Sequence, residues 1–295
     1  MSVLRAIAVS FILLLAPVLS CTAQDAAPKQ GAGEQRKDSA KESKGESANG
    51  DSKPAEEPKE EPLPPELTEY MGRTIAQTMH YAGAPWLTRD SREREEDSKT
   101  MLKALALKEG QMVCDLGAGN GYYTLPMAKS VGATGKIFAV EIQPQMLRFL
   151  KKRAEAAKMD NIEYVLGTLI DPKLKENSMD VILLVDVYHE FSHPVHMLDK
   201  IRKALKPDGV FVLVEFRAED PKVPIKPEHK MSKKQIMKEL PANGLKLVKE
   251  FDDLPWQHMM WFQRDEKWKP AEAVKDEKKD EKKEETKKEE KRQEN

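Results

Sequence analysis

The sequence predicts an α/β domain built on a doubly wound, largely parallel sheet, and three observations carry that prediction. Short β-rich apolar runs alternate with amphipathic helical stretches through the middle of the chain. The first five runs are continuously apolar, as strands covered on both faces by crossover helices must be. The first run also ends in a glycine-rich turn, "VCDLGAGNG", that leads into a helical stretch.

The strand candidates are "QMVCDL", "KIFAVEI", "IEYVLG", "MDVILLV", "GVFVLVEF", "LKLVKEF" and "QHMMWFQR". Helices are expected over Leu67 to His80, Ser91 to Leu107, Gly121 to Ser130, Pro144 to Lys158, Pro194 to Leu205 and Lys230 to Leu240. In the fifth of these, Ser192 offers a cap, Pro194 suits the first turn, and Leu198, Ile201 and Leu205 recur at helical spacing. Lys206, Pro207, Asp208 and Gly209 should then end it.

This domain spans residues 64–265; outside it the composition changes. Of the 295 residues, 34% are charged, too many for one fully globular chain. Residues 1–21 have one cation at Arg5, a largely apolar run from Ala6 to Leu19 and then Cys21. That is the layout of a signal peptide, and Val18-Leu19-Ser20-Cys21 resembles a bacterial lipobox, so export and a membrane anchor on a lipidated Cys21 are expected. Residues 22–63 are almost free of aliphatic side chains and read as a disordered tether. Residues 266–295 mix Lys and Glu without an apolar face and read as a solvated, disordered tail. Lys plus Arg number 49 against 50 for Asp plus Glu, so no charge excess points to nucleic acid, and no protein partner is indicated. Cys21 and Cys114 are too few for a disulfide framework or a cysteine zinc site.

In an open α/β sheet, ligands bind beyond the carboxyl ends of the strands. Gly117, Gly119 and Gly121 make a G-x-G-x-G turn there, with Tyr122 where a dinucleotide-binding loop would need its last glycine. Glu141 ends the second strand, where a carboxylate can accept from both hydroxyls of a ribose. Together with Asp115 before the turn, these residues point to a nucleoside with no phosphate to cradle.

At these residues the chain resembles the class I S-adenosylmethionine-dependent methyltransferases, through "VCDLGAGNG", "AVEIQPQML", "GTLIDPKLKENSMD", "VDVYHEF" and "ALKPDGVFVLVEF". The resemblance implies a Rossmann-like sheet of seven strands, with "QHMMWFQR" as an antiparallel last strand. It implies S-adenosylmethionine as cofactor, held by Asp115, Gly117, Gly119 and Gly121 at its methionine part, by Glu141 at the ribose and by Ile142 beside the adenine. An acid often follows the third strand to meet the adenine; this chain has Thr168 instead, which weakens that contact. Asp186 would lie near the cofactor, and Tyr188, His189 and Glu190 would face the acceptor, expected to be a small molecule that is methylated by in-line displacement.

The segment "DVYHEFSHPVH" also contains H-E-x-x-H, the pattern that binds zinc when both histidines share a helix face. Here it follows a β-branched strand, and Pro194 forces His193 out of helical geometry. No metal site is therefore expected, and a zinc hydrolase ranks behind both the methyltransferase and a non-catalytic nucleoside-binding domain. Trp86, Arg89 and Arg92 could form a lid, although Arg92 and Glu96, four apart, read better as a surface pair. Arg217 and His229 fall in a long proline-bearing loop on the expected acceptor side, while Trp256, Met259, Met260 and Trp261 read as core.

Overall fold

The computed structural model describes residues 63–270; the expected signal, nearly all of the tether and most of the charged tail lie outside the described residues. Seven strands form one sheet: β3 (Met112–Leu116), β4 (Lys136–Glu141), β5 (Ile162–Leu166), β6 (Met179–Val185), β7 (Leu205–Phe216), β8 (Leu245–Phe251) and β9 (Gln257–Arg264). They lie in the order β5-β4-β3-β6-β7-β9-β8. The pairs from β5 to β7 are parallel, and β9 runs antiparallel to both its neighbours. The fold is thus the doubly wound, Rossmann-like sheet that the sequence predicts, with "QHMMWFQR" as the reversed strand.

Strands β3, β6 and β7 are buried on both faces because alternate side chains enter different cores. Val113, Val181, Leu183, Val212 and Val214 pack on one side of the sheet, with Leu150 and Met127. Cys114, Ile182, Leu184, Phe211 and Leu213 pack on the other, with Leu198 and Ile236. A period of two with both phases apolar gives the continuous hydrophobic runs.

The covering helices are α3 (Thr124–Val131), α4 (Pro144–Ala156), α5 (Pro194–Ala204) and α6 (Lys233–Ala242). Helix α4 starts on Pro144 and buries Met146, Leu150 and Ala154, one position per turn. Helix α6 is capped by Ser232, whose side chain accepts the amide of Gln235 at 3.1 Å. Strand order reverses between β3 and β6, which opens a crevice beyond their carboxyl ends.

Three expected elements differ. Leu67 to His80 is not a helix: β1 (Glu69–Tyr70) and β2 (Arg73–Thr74) form a small hairpin, since Met71 and Gly72 turn the chain with φ of 48° and 88°. A 3₁₀ helix, Tyr81–Thr88, follows. The helix expected over Ser91 to Leu107 is broken into α1 (Arg92–Glu96) and α2 (Ser98–Leu105) at Asp97, which is left-handed and caps the second piece through Thr100. Lys206 to Gly209 do not form a separate stop after α5. They already belong to β7, whose Leu205 pairs with Met179 before a register shift absorbs the extra residues. Among the described residues, no helix is long and apolar enough to cross a membrane.

Candidate active site

A cavity of about 550 Å³ opens at the reversal of strand order. Its lining includes Gly117, Gly119, Glu141, Ile142 and Thr168. Gly117 has φ +79°, and a Cβ there would stand 2.5 Å from Val187. Glu141 is tied to the loops around it: Oε2 accepts from the Gly119 amide at 3.1 Å, and Oε1 from Ile142 and Gln143 at 2.8 and 2.9 Å. Burial raises its pKa, and the three amide bonds only partly offset this.

His189, Glu190 and His229 also line the cavity. His189 is 2% exposed, and its Nδ1 lies 2.6 Å from Oε2 of Glu215, a fully buried carboxylate at the end of β7. Burial pulls the His189 pKa down, but Glu215 outweighs this and the net shift is upward. Its Nε2 lies 3.1 Å from Nδ1 of His229. Burial lifts Glu190 to about 7, against the pull of His189 and the Met79 amide. His229 is pushed below the usual histidine range by burial and by His189.

The roof comes from the segment before α1. Thr78, Met79, Trp86 and Leu87 line the cavity. The Ala76 amide donates to the carbonyl of His189 (3.0 Å), the Met79 amide to Glu190 (3.2 Å) and the Tyr81 amide to Gln143 Oε1 (2.8 Å). Arg92 also reaches the cavity and is 4% exposed, with its Nε 2.7 Å from Oε2 of the fully buried Glu96. Its guanidinium donates to the Leu87 carbonyl and lies 4.0 Å from the Tyr122 ring centroid. The expected surface pair is therefore a buried one that supports the roof.

Residues 107–291, more than half of the chain, match the family described as "Methyltransferase domain". The chain belongs to this methyltransferase family. It is 24% identical over 165 residues to demethylmenaquinone methyltransferase from Staphylococcus aureus strain MRSA252, covering 56% of this chain and 66% of that protein. With the Staphylococcus saprophyticus enzyme of the same name it is 26% identical over 172 residues, covering 58% and 71%. The chain thus spans about two thirds of these relatives. In fold it is similar to an S-adenosylmethionine-dependent methyltransferase from Aquifex aeolicus, with a TM-score of 0.59 at 23% identity, covering 63% of this chain and 98% of that one.

The cofactor of this methyltransferase is S-adenosylmethionine, and the cavity fits it. Glu141 lines it with a carboxylate that could accept ribose hydroxyls, and Ile142, Met146 and Leu169 line it with apolar surface that could meet a base. Asp186 lines it too, in a left-handed conformation with φ 55°. Its Oδ2 accepts from Gln257 at 2.7 Å, while its buried Oδ1 has no protein partner, as suits an atom that meets a ligand. Burial, reinforced by Glu96 and Glu215, holds this carboxyl well above the usual range.

Two residues expected at the cofactor, Asp115 and Gly121, are not among those that line the cavity. Asp115 is buried, with Oδ2 accepting from the Thr124 hydroxyl at 2.5 Å. Gly121, with φ +84°, makes room for Leu150 of α4, 2.7 Å from where its Cβ would be. Thr168 is on the wall, but its hydroxyl accepts from the Asp171 amide and shapes its own loop.

Tyr188 does not face the cavity. The 3₁₀ turn Tyr188–Glu190 sends it into the core, where its hydroxyl donates to Glu239 of α6 at 2.6 Å beneath Arg73. His193 starts α5, as its proline neighbour requires, with both ring nitrogens engaged by Ser192 and the Pro64 carbonyl. His196 is exposed. Of the two loop residues, His229 reaches the cavity, whereas Arg217 turns to the carbonyls of Leu254 and Pro255. Sequence reasoning missed Glu215, whose signal was an acid at the end of an apolar strand, and Gln257, which had none.

Proposed function

We propose that this protein transfers the methyl group of S-adenosylmethionine to a small, largely apolar acceptor bound against His189, Glu190 and His229. The observation that carries this reading is that one cavity is lined both by Glu141 and the Gly117 turn and by those three polar residues. Met79, Trp86, Val187, Phe191, Phe216 and Ile225 line the same cavity with mostly apolar surface, which favours a hydrophobic ring with few polar groups. The curated relatives are named for a quinone-type acceptor, which supports an aromatic or quinol-like substrate here.

The cofactor brings an electrophilic methyl on a sulfonium whose leaving thioether is neutral, so most of the protein's work is positioning. Glu141 and the glycine turn fix one reactant, and the roof excludes water. His189, with Nδ1 facing Glu215 and Nε2 paired with His229 Nδ1 at 3.1 Å, would meet the acceptor together with His229. We further assign residues 1–21 to export, with a lipid on Cys21; radiolabelled lipid incorporation that persists in Cys21→Ser would overturn the anchor.

Calorimetric titration of the full chain with S-adenosylmethionine tests the cofactor half. Binding should be stoichiometric and weaken about 10- to 100-fold in Glu141→Gln, the range of one hydrogen bond to a charged group. Turnover on a panel of phenols and quinols tests the acceptor half. Tight cofactor binding with no methylation of any ring acceptor would favour a nucleoside-binding protein without catalysis.

A further inference from the structure

We propose that His189, Glu190 and His229 form a binding site for a divalent transition-metal ion, with zinc as the reference ion, on the acceptor wall of the cavity. One ligand atom from each of the three lies within 4.8 Å of the other two. The two imidazole nitrogens are 3.1 Å apart, and His189 Nε2 is 4.0 Å from Glu190 Oε1. Two nitrogens each about 2.0–2.1 Å from a tetrahedral ion stand about 3.3 Å apart, so the histidines are already at ligand spacing. Glu190 Oε1 also accepts the Met79 amide at 3.2 Å, so ligation would draw it from 4.0 Å toward His189 Nε2 and loosen or share that bond.

The surroundings match what such ions require. A metal-binding histidine typically donates its other ring N–H to a carboxylate, which fixes the tautomer and aims the second lone pair at the ion. Glu215 does this for His189: its Oε2 takes Nδ1–H at 2.6 Å while its Oε1 is anchored by the Tyr188 amide at 2.9 Å. Two imidazoles and one carboxylate form a donor set suited to zinc and neighbouring ions, and leave a coordination position open. That position opens into the cavity, because all three residues line it. The site is not the H-E-x-x-H pattern: both nitrogens of His193 are committed elsewhere, and the second imidazole comes from His229, forty residues along the chain.

Its use rests on the methyl-transfer reading above; its existence does not. An acceptor hydroxyl or thiol bound to the ion gives up its proton to water more readily. The heteroatom's lone pair then forms the bond to the methyl carbon as the carbon–sulfur bond breaks, and that electron pair stays on sulfur as a neutral thioether.

The test is titration of the chelator-treated full chain with Zn²⁺ alone, followed by calorimetry, and with Co²⁺, followed by its visible d–d bands. One equivalent should bind, with affinity falling at least 100-fold in His229→Ala and about 10- to 100-fold in Glu215→Gln, and unchanged in His193→Ala. His229 ends a 3₁₀ turn, Pro227–His229, that holds no buried residue, and circular dichroism with urea unfolding of the same variant checks that its fold persists. No stoichiometric ion, or an ion that survives His229→Ala, overturns the site, as does an ion lost in His193→Ala. Zinc bound in the expected pattern without S-adenosylmethionine binding would uphold the site and overturn the methyl-transfer reading instead.

Discussion

Glu215 grips two consecutive residues at once, accepting the amide of Tyr188 at 2.9 Å through one oxygen and lying 2.6 Å from His189 Nδ1 through the other. The carboxylate ends one strand and the residues it holds follow its parallel neighbour, so sheet geometry sets the direction of the imidazole. Glu215→Gln should keep the backbone contact but lose the charge behind the ring. Methyl transfer should fall about 100-fold or more, the range for an impaired acid–base or orienting group. Cofactor affinity should stay within about twofold, and Glu215→Asp should recover part of the rate. Equal losses in both quantities would mean that Glu215 only holds the fold.

The buried pair between Arg92 and Glu96 gives a stability prediction. Glu96 also accepts from Arg89 at 2.8 Å and from Tyr123 at 3.3 Å; Glu96→Ala leaves the buried Arg92 without its carboxylate, whereas Arg89 keeps Glu95. Urea unfolding should show a loss of about 3–5 kcal/mol. Lys99, whose side chain is 85% exposed beside Glu93, serves as the contrast, and Lys99→Ala should shift stability by less than about 1 kcal/mol.

Asp115 ties stability to pH. Burial raises its pKa to about 6, with the Thr124 hydrogen bond opposing, so the folded state holds this proton more tightly than the unfolded chain does. The protonated form favours folding, and that advantage is fully present below the unfolded value of 3.8 and is lost as pH rises through about 6. The difference corresponds to about 3 kcal/mol. Asp115→Asn should therefore flatten the stability profile between about pH 4 and 6 relative to the parent. Parallel profiles for the two proteins would show that Asp115 is not the titrating group.

What could be read from the sequence was what neighbours in the chain decide. The strands were legible because β3, β6 and β7 bury both faces, which leaves no polar phase in their runs. Glu141 was legible because a strand-end acid at a set distance from a glycine turn belongs to one chain segment. Arg92 and Glu96 were not, since four-residue spacing looks the same on a surface as beneath Tyr122 and Tyr123, which arrive from another element. Tyr188 and His189 are adjacent in sequence, yet a 3₁₀ turn sends one to α6 and the other to β7. Leu67 to His80 has apolar residues at four-residue intervals, but Met71 and Gly72 sit at the hairpin turn and override them. His229 could be placed on the acceptor side, but not beside His189, because only the tertiary fold brings those rings together.

The roof of the cavity adds no strand to the seven-stranded sheet and is fastened through a few amides, from Ala76 to His189, Met79 to Glu190 and Tyr81 to Gln143. Each of these bonds ends on a residue that either lines the cavity or holds its floor. The segment that covers the pocket therefore also holds its edge in shape, and a change in that segment reaches His189, Glu190 and Gln143 through these three hydrogen bonds.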